Sequence, residues 1–212
     1  MTSFEEPNQG TTDWLRVRQA YGDAAAWFQG VVVRIGDRWE APGLGEWDVR
    51  ALVGHTSRSF VTVETYLAQP APAAVIESAV DYYRATRSMV AGPGVAQRGR
   101  DAGAALGGDP VAAVHELATR VLALVGSCSG DEVPTTIAGG MLLRDYLVTR
   151  VFELTVHTAD LANALGLPVE PPPLPAAVTL RAVCDLAVAD GHAGPLLLGA
   201  TGRGLPEGFT VL

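Results

Sequence analysis

Apolar residues recur at helical spacing in several segments of the chain, and the first of these begins near residue 12. Thr12 or Asp13 can cap a helix that ends at Gly36. The apolar residues of this segment keep a 3.6-residue period, so one face of the helix is expected to lie in the core. They are Trp14, Val17, Tyr21, Ala24, Phe28, Val31 and Ile35. Residues 1–10 are polar and acidic and are expected to be loosely ordered.

Capping residues and glycine or proline stops mark the next helices. Asp48 caps a second helix over about residues 49–68. A third helix runs through residues 77–90 and stops at the Ala-Gly-Pro-Gly segment 91–94. Residues 95–106 could form a separate short helix. This half of the chain therefore predicts helices joined by short turns.

The second half begins with a helix capped by Asp109, with Pro110 in its first turn. The longest periodic segment follows in residues 140–165, and Gly166 and Pro168 close it. Leucines form the apolar stripe of this segment, which is expected to face the interior of the protein. They are Leu143, Leu147, Leu154, Leu161 and Leu165.

The proline-rich segment 168–175 predicts a stiff connector and marks the clearest boundary in the chain. It divides a helical bundle, residues 1–167, from an extension, residues 168–212. In the extension, one more amphipathic helix precedes two short apolar pieces, PLLLGATGR and GFTVL, which predict a small β-hairpin. The predicted fold class is mainly α, an antiparallel helical bundle with a C-terminal helix and hairpin appended.

Charge and composition narrow the classes of function. The 212 residues carry a net charge of −8, which argues against a binding surface for nucleic acid or an anionic membrane. No apolar run is long enough to span a bilayer, and the N-terminus lacks the features of a secretion signal, so a cytoplasmic protein is expected. Cys128 and Cys184 lack metal or redox spacing and are expected to be reduced.

Glu153 and His157 are candidate metal ligands in the longest predicted helix. They are four residues apart, so their side chains leave the same face one turn apart. His157 falls on the leucine stripe, where an unpaired polar group would be costly to bury. A divalent metal would satisfy both groups, because imidazole nitrogen and carboxylate oxygen are good ligands for zinc and related ions.

A third ligand must come from another helix, and His55 in the second predicted helix is the candidate. Three ligands of the His2Glu type leave one coordination position open, which is typical of catalytic rather than structural zinc sites. Asp160 lies on the same face as Glu153 and could orient one of the metal ligands without binding the metal itself. Arg150 could bind an anion or pair with one of these carboxylates.

Each of these residues also has a simpler interpretation. A Glu with a His four residues later is often only a weak surface pair, and a histidine near a helix end often bonds a backbone carbonyl. Asp160 could simply face solvent. His115 lies beside an apolar stripe, and His192 lies in a turn. Neither histidine is expected to have a role in the site.

Two motifs together resemble the mycothiol-dependent maleylpyruvate isomerase family, which belongs to the DinB/YfiT-like metalloenzymes. The first is EWDVRALVGHTSRS, with Trp47, Asp48 and His55, and the second is TRVFELTVHTADLANALG, with Glu153 and His157. The closing segment LLLGATGRGLPEGFTVL is also similar to the tail of such proteins. The resemblance extends over most of the chain.

This resemblance implies a DinB-like bundle of four up-and-down helices, with a metal held by His55, Glu153 and His157 near one end. It also implies mycothiol as a thiol co-substrate bound close to the metal. A coordinated thiol becomes a thiolate, which could add to a small electrophile and lead to isomerisation or thiol transfer. The alternative is a noncatalytic metal-binding bundle, a binding or stress-response protein.

Several features limit or extend this expectation. The segment after the proline-rich connector is short for the family's isomerase, whose C-terminal domain contributes to the active site. The resemblance therefore does not identify the substrate. Arg203 is similar to an arginine of that region and could bind a substrate carboxylate, although a surface arginine is an equal alternative. Zinc suits the ligands best, but iron, nickel, manganese or cobalt could occupy them.

The basic residues indicate the kind of source organism. All of them are arginine, which favours a high-GC genome of the actinobacterial kind.

Two predicted surfaces could form a homodimer. They are the exposed face of the first predicted helix and the edge of the predicted hairpin.

Overall fold

The computed structural model of the protein describes residues 9–90 and 94–212. The helices in this part of the chain are α1 (Gln9–Val32), α2 (Val49–Leu67), α3 (Ala79–Val90), α4 (Gly94–Ala105), α5 (Pro110–Gly126), α6 (Leu143–Ala164), α7 (Pro173–Ala189) and α8 (Ala193–Ala200), with a short 3-10 helix at Arg38–Glu40. Two antiparallel hairpins pair β1 (Pro42–Leu44) with β2 (Trp47–Asp48) and β3 (Thr135–Thr136) with β4 (Gly139–Gly140).

Four long helices form the central bundle. α1 packs against α5 and α6, and α2 packs against the same two helices on the other side. Their predicted apolar stripes meet in one core, where Tyr21, Phe28, Phe60, Leu147 and Leu154 are fully buried. Each such side chain contributes about 1.5–3 kcal/mol by leaving water. The predicted fold class, a mainly helical bundle with a small β-hairpin, is therefore confirmed, although the hairpins do not form at the predicted C-terminal position.

The predicted helix caps are confirmed at two starts. The side chain of Asp48 accepts a hydrogen bond from the backbone of Ala51 at 2.7 Å, and that of Asp109 accepts one from Ala112 at 3.0 Å. The predicted start of α1 is wrong, because that helix begins at Gln9, before both proposed capping residues. The loose order expected for residues 1–10 is wrong for residues 9 and 10, which lie in α1. Residues 1–8, and residues 91–93 of the predicted stop at 91–94, lie outside the described residues.

The short helix α4 lies very close to α2. A Cβ atom placed on Gly54 would be 2.1 Å from the backbone nitrogen of Gly103, and one placed on Gly103 would be 2.7 Å from the carbonyl oxygen of Arg50. Only residues without side chains allow two helix backbones to approach so closely. The helix suggested for residues 95–106 therefore exists and covers the part of α2 that carries His55.

The predicted C-terminal hairpin is wrong. The PLLLGA segment lies in helix α8, and the segment 205–212 contains no strand. A short apolar run does not distinguish strand from helix by its period, and leucine and alanine favour a helix. Each hairpin that does form has a glycine with positive φ at or beside its turn. Gly45 (φ 56°) lies between β1 and β2, and Gly139 (φ 119°) is the first residue of β4.

The extension packs on the bundle through α7. This helix starts at Pro173, inside the predicted connector, because a proline fits the first helical turn without losing a hydrogen bond. α7 contacts α1 and α6, and it buries Ala182, Leu186 and Ala187 in the common core. The division at residues 167 and 168 stays a prediction. Among the described helices, none combines the length and the apolar character that crossing a bilayer requires.

Candidate metal centre

The three candidate metal ligands come together between α2 and α6. His55 extends from α2, and Glu153 and His157 extend from α6, with one ligand atom of each within 4.8 Å of the others. Nε2 of His157 lies 3.2 Å from Oε2 of Glu153. The rings of His55 and His157 meet edge to face, with centroids 4.8 Å apart. Ligand bonds of about 2.1 Å to one ion need donor atoms about 3.4 Å apart, so small side-chain shifts suffice.

Each α6 ligand has a supporting partner on the side away from the shared space. Nδ1 of His157 lies 3.1 Å from Oδ2 of Asp160. This contact orients the ring and turns Nε2 towards Glu153. The Tyr83 hydroxyl, from α3, donates to Oε1 of Glu153 at 3.0 Å and also contacts the carbonyl oxygen of Thr149. Tyr83 therefore holds Oε1 of Glu153 in place, while Oε2 faces Nε2 of His157.

Packing holds His55, and within residues 9–90 and 94–212 no hydrogen bond to its ring is found. Its ring lies against Trp47, with centroids 4.5 Å apart. Trp47 is fixed in turn, since its Nε1 donates to the carbonyl oxygen of Ala96 at 3.0 Å and Gly99 leaves room for its indole ring. Nδ1 of His55 is buried and has no hydrogen-bond partner among the described residues.

The protonation states differ among the three groups. Burial raises the pKa of Glu153, but hydrogen bonding to His157 and the charge of Arg150 outweigh burial and bring it to about 2. Burial lowers the pKa of His157, yet Asp160 and Glu153 raise it to about 9. Burial, followed by the charge of His157, lowers the pKa of His55 to about 4. At neutral pH the metal-free site therefore holds a carboxylate, one charged imidazole and one neutral imidazole.

These residues fit a divalent metal. Two imidazoles and a carboxylate form a ligand set that binds zinc and related ions, and the supporting contact from Asp160 is of the kind that metal-bound histidines make. A metal would also balance the carboxylate once His157 loses its proton. The buried, unpartnered His55 nitrogen leaves this ring with unused hydrogen-bonding capacity.

A cavity of about 330 Å³ opens directly onto the three groups. Its size suits a small molecule. Aromatic side chains and arginines make up much of its wall, and these are Trp47, Tyr66, Tyr82, Tyr83, Arg58, Arg87, Arg98 and Arg150. A larger hollow of about 570 Å³, lined in part by Asp13 and Asp145, shares no lining residue with it. The candidate chemistry and a space for a ligand therefore coincide in the smaller cavity.

The other residues considered from the sequence lie in different places. Arg203 is exposed after α8, donates to the carbonyl oxygen of Thr201 and does not line the cavity. His115 contacts Gln29, and His192 packs near Phe209, so both lie outside the site as expected.

Sequence reasoning missed Tyr83, Arg58 and Arg98 as members of the site. They lie on three different helices, and no spacing within a single helix connects them to Glu153. Arg150, a candidate anion ligand from the sequence, lines the cavity.

Comparison with known proteins identifies the family. Residues 36–162 match the family described as mycothiol maleylpyruvate isomerase N-terminal domain. The matched range runs from the turn just after α1 into α6 and includes all three candidate ligands. Comparisons with curated proteins and with solved structures gave no match. Because the family match covers more than half of the 212 residues, the chain belongs to the mycothiol maleylpyruvate isomerase N-terminal domain family.

Proposed function

We propose that the protein is a divalent-metal-dependent enzyme that uses a low-molecular-weight thiol, mycothiol, to attack a small electrophile. The observation that carries this proposal is the position of His55, Glu153 and His157 at the wall of a ligand-sized cavity. The family supports a mycothiol-related role. The reaction would be isomerisation if the adduct is released again, and thiol transfer if it is retained.

His55, Glu153 and His157 would hold the metal, for which zinc is the first choice. When bound, the metal would supply Lewis acidity and lower the pKa of a coordinated thiol. Asp160 acts as a positioning residue, because it contacts the Nδ1 side of the His157 ring. Tyr83 positions Glu153 in the same way.

The thiol must come from a ligand rather than from the protein. Cys128 and Cys184 are free, and neither lines the cavity. Burial raises the pKa of the Cys128 thiol, which disfavours its thiolate. A small thiol that enters the cavity would meet the candidate metal ligands directly.

The alternative, a noncatalytic metal-binding bundle, would be favoured by a fourth protein ligand that closes the coordination sphere. Asp160 and His115 are the candidates for such a ligand. Asp160 contacts the Nδ1 side of His157, and His115 contacts Gln29 on another face. Neither contact points to a fourth ligand for a metal held by His55, Glu153 and His157, and this supports the catalytic proposal.

Thiol-dependent turnover of an electrophile by the zinc-loaded protein tests the proposal, because it detects both isomerisation and thiol transfer. Purified mycothiol is incubated with a panel of conjugated electrophiles, including maleylpyruvate, and turnover by wild type is compared with that of His157→Ala. His115→Ala serves as the control, because it removes a histidine outside the site. We expect turnover in wild type and in the control and none in His157→Ala. Equal rates in wild type and His157→Ala would reject the proposal.

A further inference from the structure

Helix α7 is apolar around almost its whole circumference. Among the 17 residues of Pro173–Ala189, only Arg181 and Asp185 are charged. A helix at the surface of a protein normally carries charged or polar residues on its outer face, whereas a helix that is apolar on all sides is normally buried. The sequence of α7 therefore predicts that protein covers both of its faces.

The bundle covers only one face of α7. Ala182 and Leu186 on that face are buried in the common core, where α7 packs against α1 and α6. On the opposite face Leu180 is 62% exposed and Val188 is 70% exposed, and Cys184 between them is also exposed. These three residues are four apart in sequence, so their side chains form one row along the helix, the α7 ridge. The described part of the chain leaves this apolar ridge uncovered.

The neighbouring helix α8 also exposes apolar side chains. It contains no charged residue, and it packs on α7. Leu197 is 65% exposed and Leu198 is 52% exposed. Extensive exposed apolar surface is rare in monomeric proteins and usually marks a site of interaction. Both helices of the extension therefore expose side chains of the kind that a partner covers.

The α7 ridge suits a second copy of the same helix. The small Cys184 lies at its centre, and the larger Leu180 and Val188 lie about one turn away on either side. Ridges of residues four apart interdigitate in the commonest class of helix packing. When two copies cross antiparallel at Cys184, Leu180 of one copy meets Val188 of the other, and the two-fold axis repeats this contact.

The charges beside the ridge match under the same symmetry. Arg181 and Asp185 lie on one flank of the ridge and pair with each other at 2.9 Å. An antiparallel pair brings these flanks to the same side, so Arg181 of each copy lies next to Asp185 of the other. A parallel pair would place the flanks on opposite sides of the contact. The flank has no net charge, so the net charge of −8 does not concentrate repulsion here.

We propose that the protein forms a homodimer in which two α7 helices cross antiparallel at Cys184. The ridge residues do not line the cavity beside the candidate metal ligands, so the dimer does not depend on the proposed function. One face of one helix is a small interface, and we expect a dissociation constant of about 1–100 µM.

Sedimentation equilibrium of the full chain, at concentrations below and well above this range, measures the association. The mass of wild type should rise from that of one chain to that of two. Leu180→Glu/Val188→Glu places charges on the ridge and should keep the mass of one chain at every concentration. Leu15→Glu/Val33→Glu is the matched control, because it adds the same charges at exposed apolar residues in and just after α1. This control should dimerise like wild type.

Oxidation with diamide locates the two-fold axis. Diamide takes up two electrons and two protons from a pair of thiols, which become a disulfide. Because the two Cys184 thiols lie close together in the dimer, wild type and Cys128→Ser should both give a cross-linked dimer on a nonreducing gel. Cys184→Ser should give none, although it still dimerises in sedimentation.

Several results would overturn the proposal. One is a wild-type mass of one chain at the highest concentration, and another is a dimer that survives Leu180→Glu/Val188→Glu. Loss of the dimer in Leu15→Glu/Val33→Glu alone would place the contact at α1 instead. A dimeric wild type that forms no cross-link, or a cross-link that requires Cys128, would reject the antiparallel crossing at Cys184.

Discussion

Tyr83 and Glu153 are 70 residues apart in the chain, and the Tyr83 hydroxyl donates to Oε1 of Glu153 at 3.0 Å. The contact joins α3 to α6 and fixes one oxygen of a candidate metal ligand. Burial raises the pKa of the Tyr83 hydroxyl well above its ordinary value, and the neighbouring charge of Glu153 raises it further. The hydroxyl therefore stays protonated and remains a donor at every physiological pH.

Tyr83→Phe removes this hydrogen bond and keeps the ring. We expect zinc affinity to fall about 10- to 100-fold, because loss of an outer partner typically has this effect on a metal site. Competition with a chromophoric chelator measures the change. Tyr66→Phe is the control, since Tyr66 lines the same cavity and has no contact with the candidate ligands. Equal zinc affinity in wild type and Tyr83→Phe would show that the hydrogen bond does not support the metal.

Metal binding should release a proton at neutral pH. His157 has a pKa of about 9 in the metal-free protein and carries a proton at pH 7, whereas His55, with a pKa of about 4, does not. A ligating imidazole must be neutral, so the His157 proton leaves as the metal binds. Because the metal-free pKa lies above 7, zinc affinity should rise with pH and level off above about 9.

Calorimetry in two buffers of different ionisation enthalpy measures this release. We expect about one proton per zinc ion at pH 7 and fewer as the pH approaches the pKa of His157. Release of no proton at pH 7, with affinity independent of pH, would mean that His157 is already neutral or does not ligate the metal.

Gly99 should affect the metal site through Trp47. A Cβ atom at this position would lie 2.5 Å from the indole ring, so Gly99→Ala must displace the ring that packs against His55. We expect a stability loss of about 1–3 kcal/mol from overpacking, together with weaker zinc binding. Urea unfolding and chelator competition measure the two effects.

Gly22→Ala is the matched control for Gly99→Ala. Gly22 lies within helix α1, and a Cβ atom there would meet nothing within 4 Å. The substitution should stabilise the protein by about 0.5–1 kcal/mol and leave zinc affinity unchanged, since alanine is the better helix former. If Gly99→Ala behaved like Gly22→Ala, the Trp47 ring would have no positioning role.

Local sequence features predicted much of the fold, because their physics acts over a few residues. Asp48 and Asp109 start their helices as expected, and the four-residue spacing of Glu153 and His157 places both side chains on one face. The short apolar segment around Leu197 did not reveal its helix, since its period fits a strand equally well.

The rest of the site depends on contacts between distant parts of the chain. The approach of α4 to α2 depends on the facing pair Gly54 and Gly103, and nothing local predicts that they meet. Tyr83 and Arg98 reach the cavity only because α3 and α4 pack around α2 and α6. Such partners can be found only from the packed structure. The three candidate ligands, by contrast, are predicted to lie together because the two motifs resemble those of the family.

Metal content decides whether His55, Glu153 and His157 form a metal centre. It is measured by elemental mass spectrometry on tag-free protein after zinc reconstitution and removal of excess metal. Wild type is compared with His55→Ala, His157→Ala and the control His115→Ala, which alters a histidine bonded to Gln29 outside the site. We expect about one ion per chain in wild type and control, and less than about a tenth of that in the two ligand variants. Negligible metal in all four proteins, or equal metal in all four, would contradict a metal centre at His55, Glu153 and His157.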